Sequence, residues 1–258
     1  MRRTARFAAA LLGALLLAPS LVGAAPVAVR GRMIAPGVAV IPGATVAPGV
    51  AAFPRLRAAP SDHAAARINA ALAAGDGRVR EAAASCHGWT RDVAVTMRGP
   101  RFLTLVATDE WACGAYPDHD VLALTYDLRT GAPVNWTRVL GRGIVQAETM
   151  DSVGDGTQVG AVISKALAAW YRNAALGGAV VPGACRPVLD DPHLGFQVWP
   201  DARAGGLGIA AFDLPHVVAV CAPPLVVPAA ALRAMGVDAG LVRAIVAAHR
   251  AGRFGPRG

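Results

Sequence analysis

The residues of this chain whose types could do chemistry are few and scattered. Asp118-His119-Asp120 sets two carboxylates around an imidazole, the raw material of a metal ligand set or an oriented general base. Neighbours on a loop rarely converge on one point, so the triplet also reads as a polar, solvated loop between strands. Asp109-Glu110 before Trp111 pairs two acids with an aromatic ring, a combination that glycosidases use. In a continuing strand, however, adjacent residues point to opposite faces. Trp111 and Trp136 would stack on a sugar ring if exposed, although such rings are more often core. Ser152 lies in Asp151-Ser152-Val153-Gly154-Asp155-Gly156-Thr157, which lacks the alternating oxygens and the terminal glutamate of a calcium loop. Asp155 or Thr157 is expected there to cap a following helix. His87 beside Cys86 would tune a free thiol, a role closed to an oxidised cysteine. His63, His193, His216 and His249 stand apart. No Gly-x-Ser-x-Gly elbow, phosphate-binding loop, dinucleotide fingerprint or zinc-protease motif occurs. The sequence therefore assigns no catalytic residue, no metal and no cofactor.

The four cysteines, Cys86, Cys113, Cys185 and Cys221, lack metal-finger spacing. An even count in an exported chain reads as two disulfides, and four cysteines allow three pairings. The expected pairs are Cys86–Cys113 and Cys185–Cys221, each within one half of the folded region. Each closes a loop of about 30 residues, worth roughly 3–4 kcal/mol on loop-entropy grounds.

Export is read from the first residues. Arg2, Arg3 and Arg6 precede an almost wholly apolar run over residues 7–18, and small residues reach Ala24. That is a secretory signal over residues 1–24; the apolar run is too short for a span, which needs about 20 residues. No later segment is long and apolar enough to cross a bilayer, so no membrane span is expected after cleavage. The formal charge of +8 is nearly all arginine, since Lys165 is the only lysine. A mildly basic surface favours acidic partners such as anionic polysaccharide, but no basic run of the nucleic-acid-binding kind is present.

The elements that must position these residues begin after a Pro/Gly-rich stretch over residues 25–60. Pro36-Gly37, Pro42-Gly43 and Pro48-Gly49 recur there every six residues, and the stretch reads as a disordered linker. Ser61 or Asp62 then caps a helix that the Gly75-Asp76-Gly77 segment ends or interrupts. Alternating strands are expected over 92–98, 102–107 and 121–128, with Gly99-Pro100 as a turn and a short fourth strand over 134–139. A helix is predicted over 158–175 from the stripe Val159, Val162, Ile163, Leu167, Trp170 and Tyr171. Strands over 195–199 and 216–221, a short helix over 229–235 and an Asp238-capped helix to His249 complete the chain. The pattern is α+β, an antiparallel sheet packed against helices. It forms a single domain over 61–252 in two subregions, about 61–150 and 151–252.

Two motifs and a later closing segment carry a resemblance. Trp111-Ala112-Cys113-Gly114-Ala115-Tyr116-Pro117 is followed by Tyr126-Asp127-Leu128-Arg129-Thr130-Gly131-Ala132-Pro133-Val134, and later by Pro215-His216-Val217-Val218 and Cys221. Residues 61–235 thereby resemble the domain of unknown function family 3298, with its companion family 4163, an extracytoplasmic domain also seen in lysozyme-sensing anti-sigma factors. The resemblance implies a binding or sensing module at the cell envelope and carries over no catalytic residue.

The expectation is thus a periplasmic or secreted protein that binds an envelope protein or a peptidoglycan-type glycan without turning it over. Trp111, Tyr116, Asp118, His119 and Asp120 form its proposed contact rim. The alternative is a hydrolase or deacetylase acting on cell-wall glycan, with the Asp118-His119-Asp120 triplet as its chemistry.

Overall fold

Pro-Gly steps act as corners in the first stretch of the computed structural model, which describes residues 38–255 except His87, Ala115, Tyr116 and Asp213, and not the side chains of Met150, Asp151, Ser152 and His216. The signal over 1–24, the linker as far as residue 37, His87 and Tyr116 therefore lie outside the described residues. From residue 40 the expected linker is β-structure instead: β1 (Val40–Ile41), β2 (Thr45–Ala47), β3 (Val50–Ala51) and β4 (Arg55–Leu56). Gly49 takes φ +76° in the β2–β3 turn, and a Cβ on Gly43 would lie 2.5 Å from the Ala52 carbonyl oxygen. Val50, Phe53 and Leu56 are buried between these corners. Short strands of this kind are stable only against a neighbour, and the neighbour is the helix that follows.

That helix, α1 (His63–Ser85), starts where Asp62 accepts the Ala65 N–H. It runs straight through Gly75-Asp76-Gly77, where the sequence predicts a break. Tertiary contact overrides the glycine penalty there. Gly75 lies under the Phe53 ring, and Asp76 accepts the Phe53 N–H at 2.9 Å and pairs with Arg55. About two turns earlier, Asn69 bonds both backbone groups of Leu56, at 2.8 and 3.0 Å. Polar side chains of α1 thus supply the strand partners that residues 53–56 would otherwise lack.

The expected meander is present as β5 (Thr90–Arg98), β6 (Phe102–Trp111) and β7 (Asp118–Asp127). With the first hairpin it forms a sheet ordered β2-β3-β5-β6-β7, antiparallel except for the β3–β5 join. The expected fourth strand is a short helix, α2 (Trp136–Leu140), because the Asn135 side chain caps the Arg138 N–H at 2.8 Å and Trp136, Val139 and Leu140 fall on one buried helical face.

A second five-stranded sheet, β12-β11-β10-β9-β8, is antiparallel throughout. It consists of β8 (Ala147–Ser152), β9 (Gln158–Ile163), β10 (Gly195–Asp201), β11 (Gly206–Phe212) and β12 (Leu225–Pro228). The helix predicted over 158–175 divides at Ser164: its first turn and a half is β9, and α3 (Lys165–Gly177) begins where Ser164 Oγ accepts the Leu167 N–H. The strand predicted over 216–221 is a 3-10 turn, His216–Cys221, with Val217 and Val220 83% and 66% exposed. Of its described side chains only Val218 and Cys221 reach the core, so its residues do not alternate as a strand's would. The short α4 (Arg186–Leu189), α5 (Ala229–Ala234) and α6 (Ala239–Arg250), the last capped by Asp238, complete the fold.

The described residues all belong to one compact unit, an α+β fold as expected. Gln197 on β10 joins the sheets, accepting from Ala123 N at 2.9 Å and donating to Val121 O at 2.7 Å on β7. Thr96 on β5 bonds Pro200 and Ala202 of the other sheet. The largest core cluster, around Phe196, Tyr171, Leu207 and Ile245, draws in Met97 and Phe102 from the first sheet. A smaller one under α1 centres on Ile68, Leu72, Leu105 and Leu122. Both expected disulfides are present, Cys86–Cys113 and Cys185–Cys221, spanning 27 and 36 residues.

Candidate functional site

The proposed contact rim sits where β6 ends and β7 begins. Trp111 pairs with Asp118, Glu110 with His119, and Asp109 with Asp120. Directly opposed residues share a face and successive ones alternate. Asp109, Trp111, Asp118 and Asp120 therefore occupy one face, while Glu110 and His119 occupy the other. The Asp118-His119-Asp120 triplet does not converge, and its imidazole is turned away from both carboxylates. Asp109 and Glu110 likewise separate, as strand alternation requires. Asp109 is 1% exposed whereas Glu110 faces solvent.

Asp109 serves a buried cluster that local sequence patterns do not show. The Arg91 side chain is fully buried on β5, directly opposite Asp109. Its Nε donates to Asp109 Oδ1 at 2.6 Å, and Nη2 donates to Asp109 Oδ2 at 2.5 Å and Asp155 Oδ2 at 2.8 Å. Trp89 Nε1 also donates to Asp109 at 3.1 Å. The guanidinium carbon stands 5.1 Å from the Phe53 ring centroid, and Nη1 is buried with no hydrogen bond of its own. Burial pulls the Arg91 pKa down, but its bonds to Asp109 and Asp155 outweigh that, so the net shift is upward.

Asp155 does not cap a helix. Its second oxygen accepts the Thr157 N–H at 2.8 Å, and Thr157 Oγ1 in turn accepts from Arg78 Nε of α1 at 3.0 Å. The 153–157 turn is thereby held against the first sheet. Beside it, Trp111 stacks on Trp89 with centroids 4.8 Å apart and covers Gly154, where a Cβ would lie 2.6 Å from the ring. Trp111 is a half-buried wall of this cluster, not a free platform, and Trp136 is core.

Asp120 is the one carboxyl with a resolved shift here. It is half-buried and accepts the Gly154 N–H at 2.6 Å. Desolvation raises its pKa to about 6, opposed by the Gly154 bond, reinforced by the charges of Asp118 and Asp109, and eased by His119. A carboxyl that holds its proton to pH 6 is the kind a general acid needs. The space beside His119 and Asp120 is only about 60 Å3, however, and a whole small molecule needs about 300–1,000 Å3. Among the described residues no group of three metal-ligating side chains comes together.

A larger cavity of about 680 Å3 opens elsewhere, between β1, the 51–57 segment, β5 and the chain's last residues. The edge of β5 is covered at Arg91 by β3 and at Val95 and Arg98 by residues 253–255, through Arg98 N to Arg253 O and Gly255 N to Val95 O. Val93 and Val95 line the cavity at the gap, with Ile41 and Phe254, and two arginines, Arg57 and Arg98, are the only charged residues of its wall. Neither arginine stands out in the sequence, because the wall is assembled from segments as far apart as residues 39 and 255. The Arg91–Asp109 pairing was hidden too: the register at the Arg98–Leu103 end of the hairpin would set Arg91 opposite Glu110, and the bulge between Val95 and Met97 shifts it by one residue to Asp109.

No family model and no curated protein matches this chain in sequence comparison.

Proposed function

We propose that this protein is an exported, non-enzymatic binding domain of the cell envelope, working in the periplasm or outside the cell. Two cystines suit an oxidising compartment, and no described helix is long and apolar enough to cross a membrane. The observation that carries the reading is the 680 Å3 cavity, whose lining contains no histidine, cysteine, serine or carboxylate. It can hold a ligand and offers no nucleophile, acid or base to transform it. The resemblance of the Trp111 and Tyr126 motifs implies the same kind of module.

Cell-wall hydrolysis is supported less well. A glycosidase flanks its bond with two carboxyl groups about 5–9.5 Å apart, whereas Asp109 is locked behind Arg91 and Glu110 points away from it. The purified exported chain, incubated with envelope extract, is expected to retain a discrete component by mass spectrometry and to release no product from labelled peptidoglycan. Product formation that Asp120→Asn abolishes would overturn the proposal.

A further inference from the structure

From the composition of the cavity wall we infer that it is a site for an anionic amphiphile: an apolar chain or ring body ending in a carboxylate or phosphate. This rests on the reading of the protein as a binding domain and names the ligand class. Three features of the wall converge on it.

First, the body of the cavity is apolar. Val40, Ile41, Val93, Val95 and Phe254 line it with alanine, proline and glycine. Apolar walls reward apolar surface taken from water, while a glycan would require acceptors as well as donors, and apart from Arg57 and Arg98 the lining side chains are apolar. Ile41 is 42% exposed, one of the few large apolar side chains so placed among the described residues.

Second, the charge of the wall has one sign. Arg57 and Arg98 line the cavity, and no acid does. Arg57 is exposed, and among the described residues its side chain is in no ion pair. Arg98 Nε donates to the Phe254 carbonyl at 3.2 Å and Nη1 to the Val38 carbonyl at 3.5 Å. Those acceptors are neutral, so its charge is not cancelled locally. A guanidinium matches a carboxylate or phosphate in a two-point, charge-assisted geometry.

Third, the walls are completed by short segments from opposite ends of the described chain rather than by the sheet alone. The C-terminal segment crosses β5 by two backbone bonds, Arg98 N to Arg253 O and Gly255 N to Val95 O. On the opposite side stand the two-residue strands β1 and β4. A chain-like ligand entering between them would meet Arg57 at the solvent side.

The test uses the exported chain with both disulfides formed, and displacement of the fluorescent dye 1-anilinonaphthalene-8-sulfonate. Palmitate and hexadecyl phosphate are expected to displace the dye, while hexadecanol does so at least tenfold less well and inorganic phosphate not at all. Comparing palmitate with hexadecyl phosphate, and free palmitate with vesicles of palmitoyl-oleoyl phosphatidylglycerol, separates a free acid from a lipid headgroup as the source. Arg57→Glu, an exposed change that leaves the fold alone, should weaken both anions at least tenfold. Ala39→Trp, at an exposed position on the cavity wall, should weaken every apolar probe. Arg129→Glu, outside the cavity, should change nothing. If hexadecanol binds as well as palmitate and Arg57→Glu has no effect, the anionic class is overturned while the binding reading stands. If no apolar probe binds, both fall.

Discussion

Arg91 is a cation removed from water and answered by two carboxylates. Breaking such a cluster by removing one partner leaves uncompensated buried charge, which costs about 3–5 kcal/mol. Arg91→Ala should therefore destabilise the protein by that amount in urea unfolding, since Asp109 and Asp155 then stay buried without their cation. Adding Asp109→Asn to Arg91→Ala should recover part of the loss; a double variant worse than the single would mean that packing over Phe53, not charge, is what Arg91 provides. Asp120 behaves in the opposite sense to most surface carboxylates. Its folded pKa of about 6 lies above the ordinary value of 3.8, so the folded state binds the proton more tightly. The stability it contributes is fully present below about pH 4 and is lost as pH rises through 6. The stability difference between wild type and Asp120→Asn should fall with pH across that window. A flat difference would show that Asp120 ionises as freely in the folded chain as in the unfolded one.

At the scale of elements, the disulfide Cys86–Cys113 ties the end of α1 to the β6–β7 connection. Replacing both cysteines by serine should cost about 3 kcal/mol for a loop of this length, read as a lower urea midpoint that reductant no longer shifts by that bridge. The meander, the caps at Asp62 and Asp238 and the cystine pairing were legible because each is a local pattern: alternation, a capping oxygen, a loop within one half. The 158–175 stretch was misread because Val159, Val162 and Ile163 fit a helical stripe as well as a strand, and only the Ser164 cap separates the two. Residues 206–212, Gly-Leu-Gly-Ile-Ala-Ala-Phe, carry little alternation, being buried on both faces over most of their length. The candidate site was legible only in part. The rim residues Trp111 and Asp120 do stand beside a charged cluster, but Asp155 joins Arg91 across 64 residues, and the cavity wall joins residue 39 to residue 255. Spacing along the chain carries no record of such meetings.

At the scale of the whole fold, two five-stranded sheets pack together, and the outer edge of β7 is covered at Val121 and Ala123 by the Gln197 side chain and at Thr125 and Asp127 by residues 132–134. Edges left open invite pairing with other chains. In β5 that duty falls to β3 on one stretch and to the last described residues on another. The arrangement places the cavity where residues 39–57 meet residues 254–255. Arg98 makes the meeting physical, because one guanidinium bonds the carbonyls of both Val38 and Phe254. Two segments more than 200 positions apart are thus fastened by one non-covalent clasp. Fraying at either is therefore not a private event: if the chain lifts at Val38, the hold on Phe254 loosens as well, and whatever keeps the clasp shut protects both segments from a protease at once.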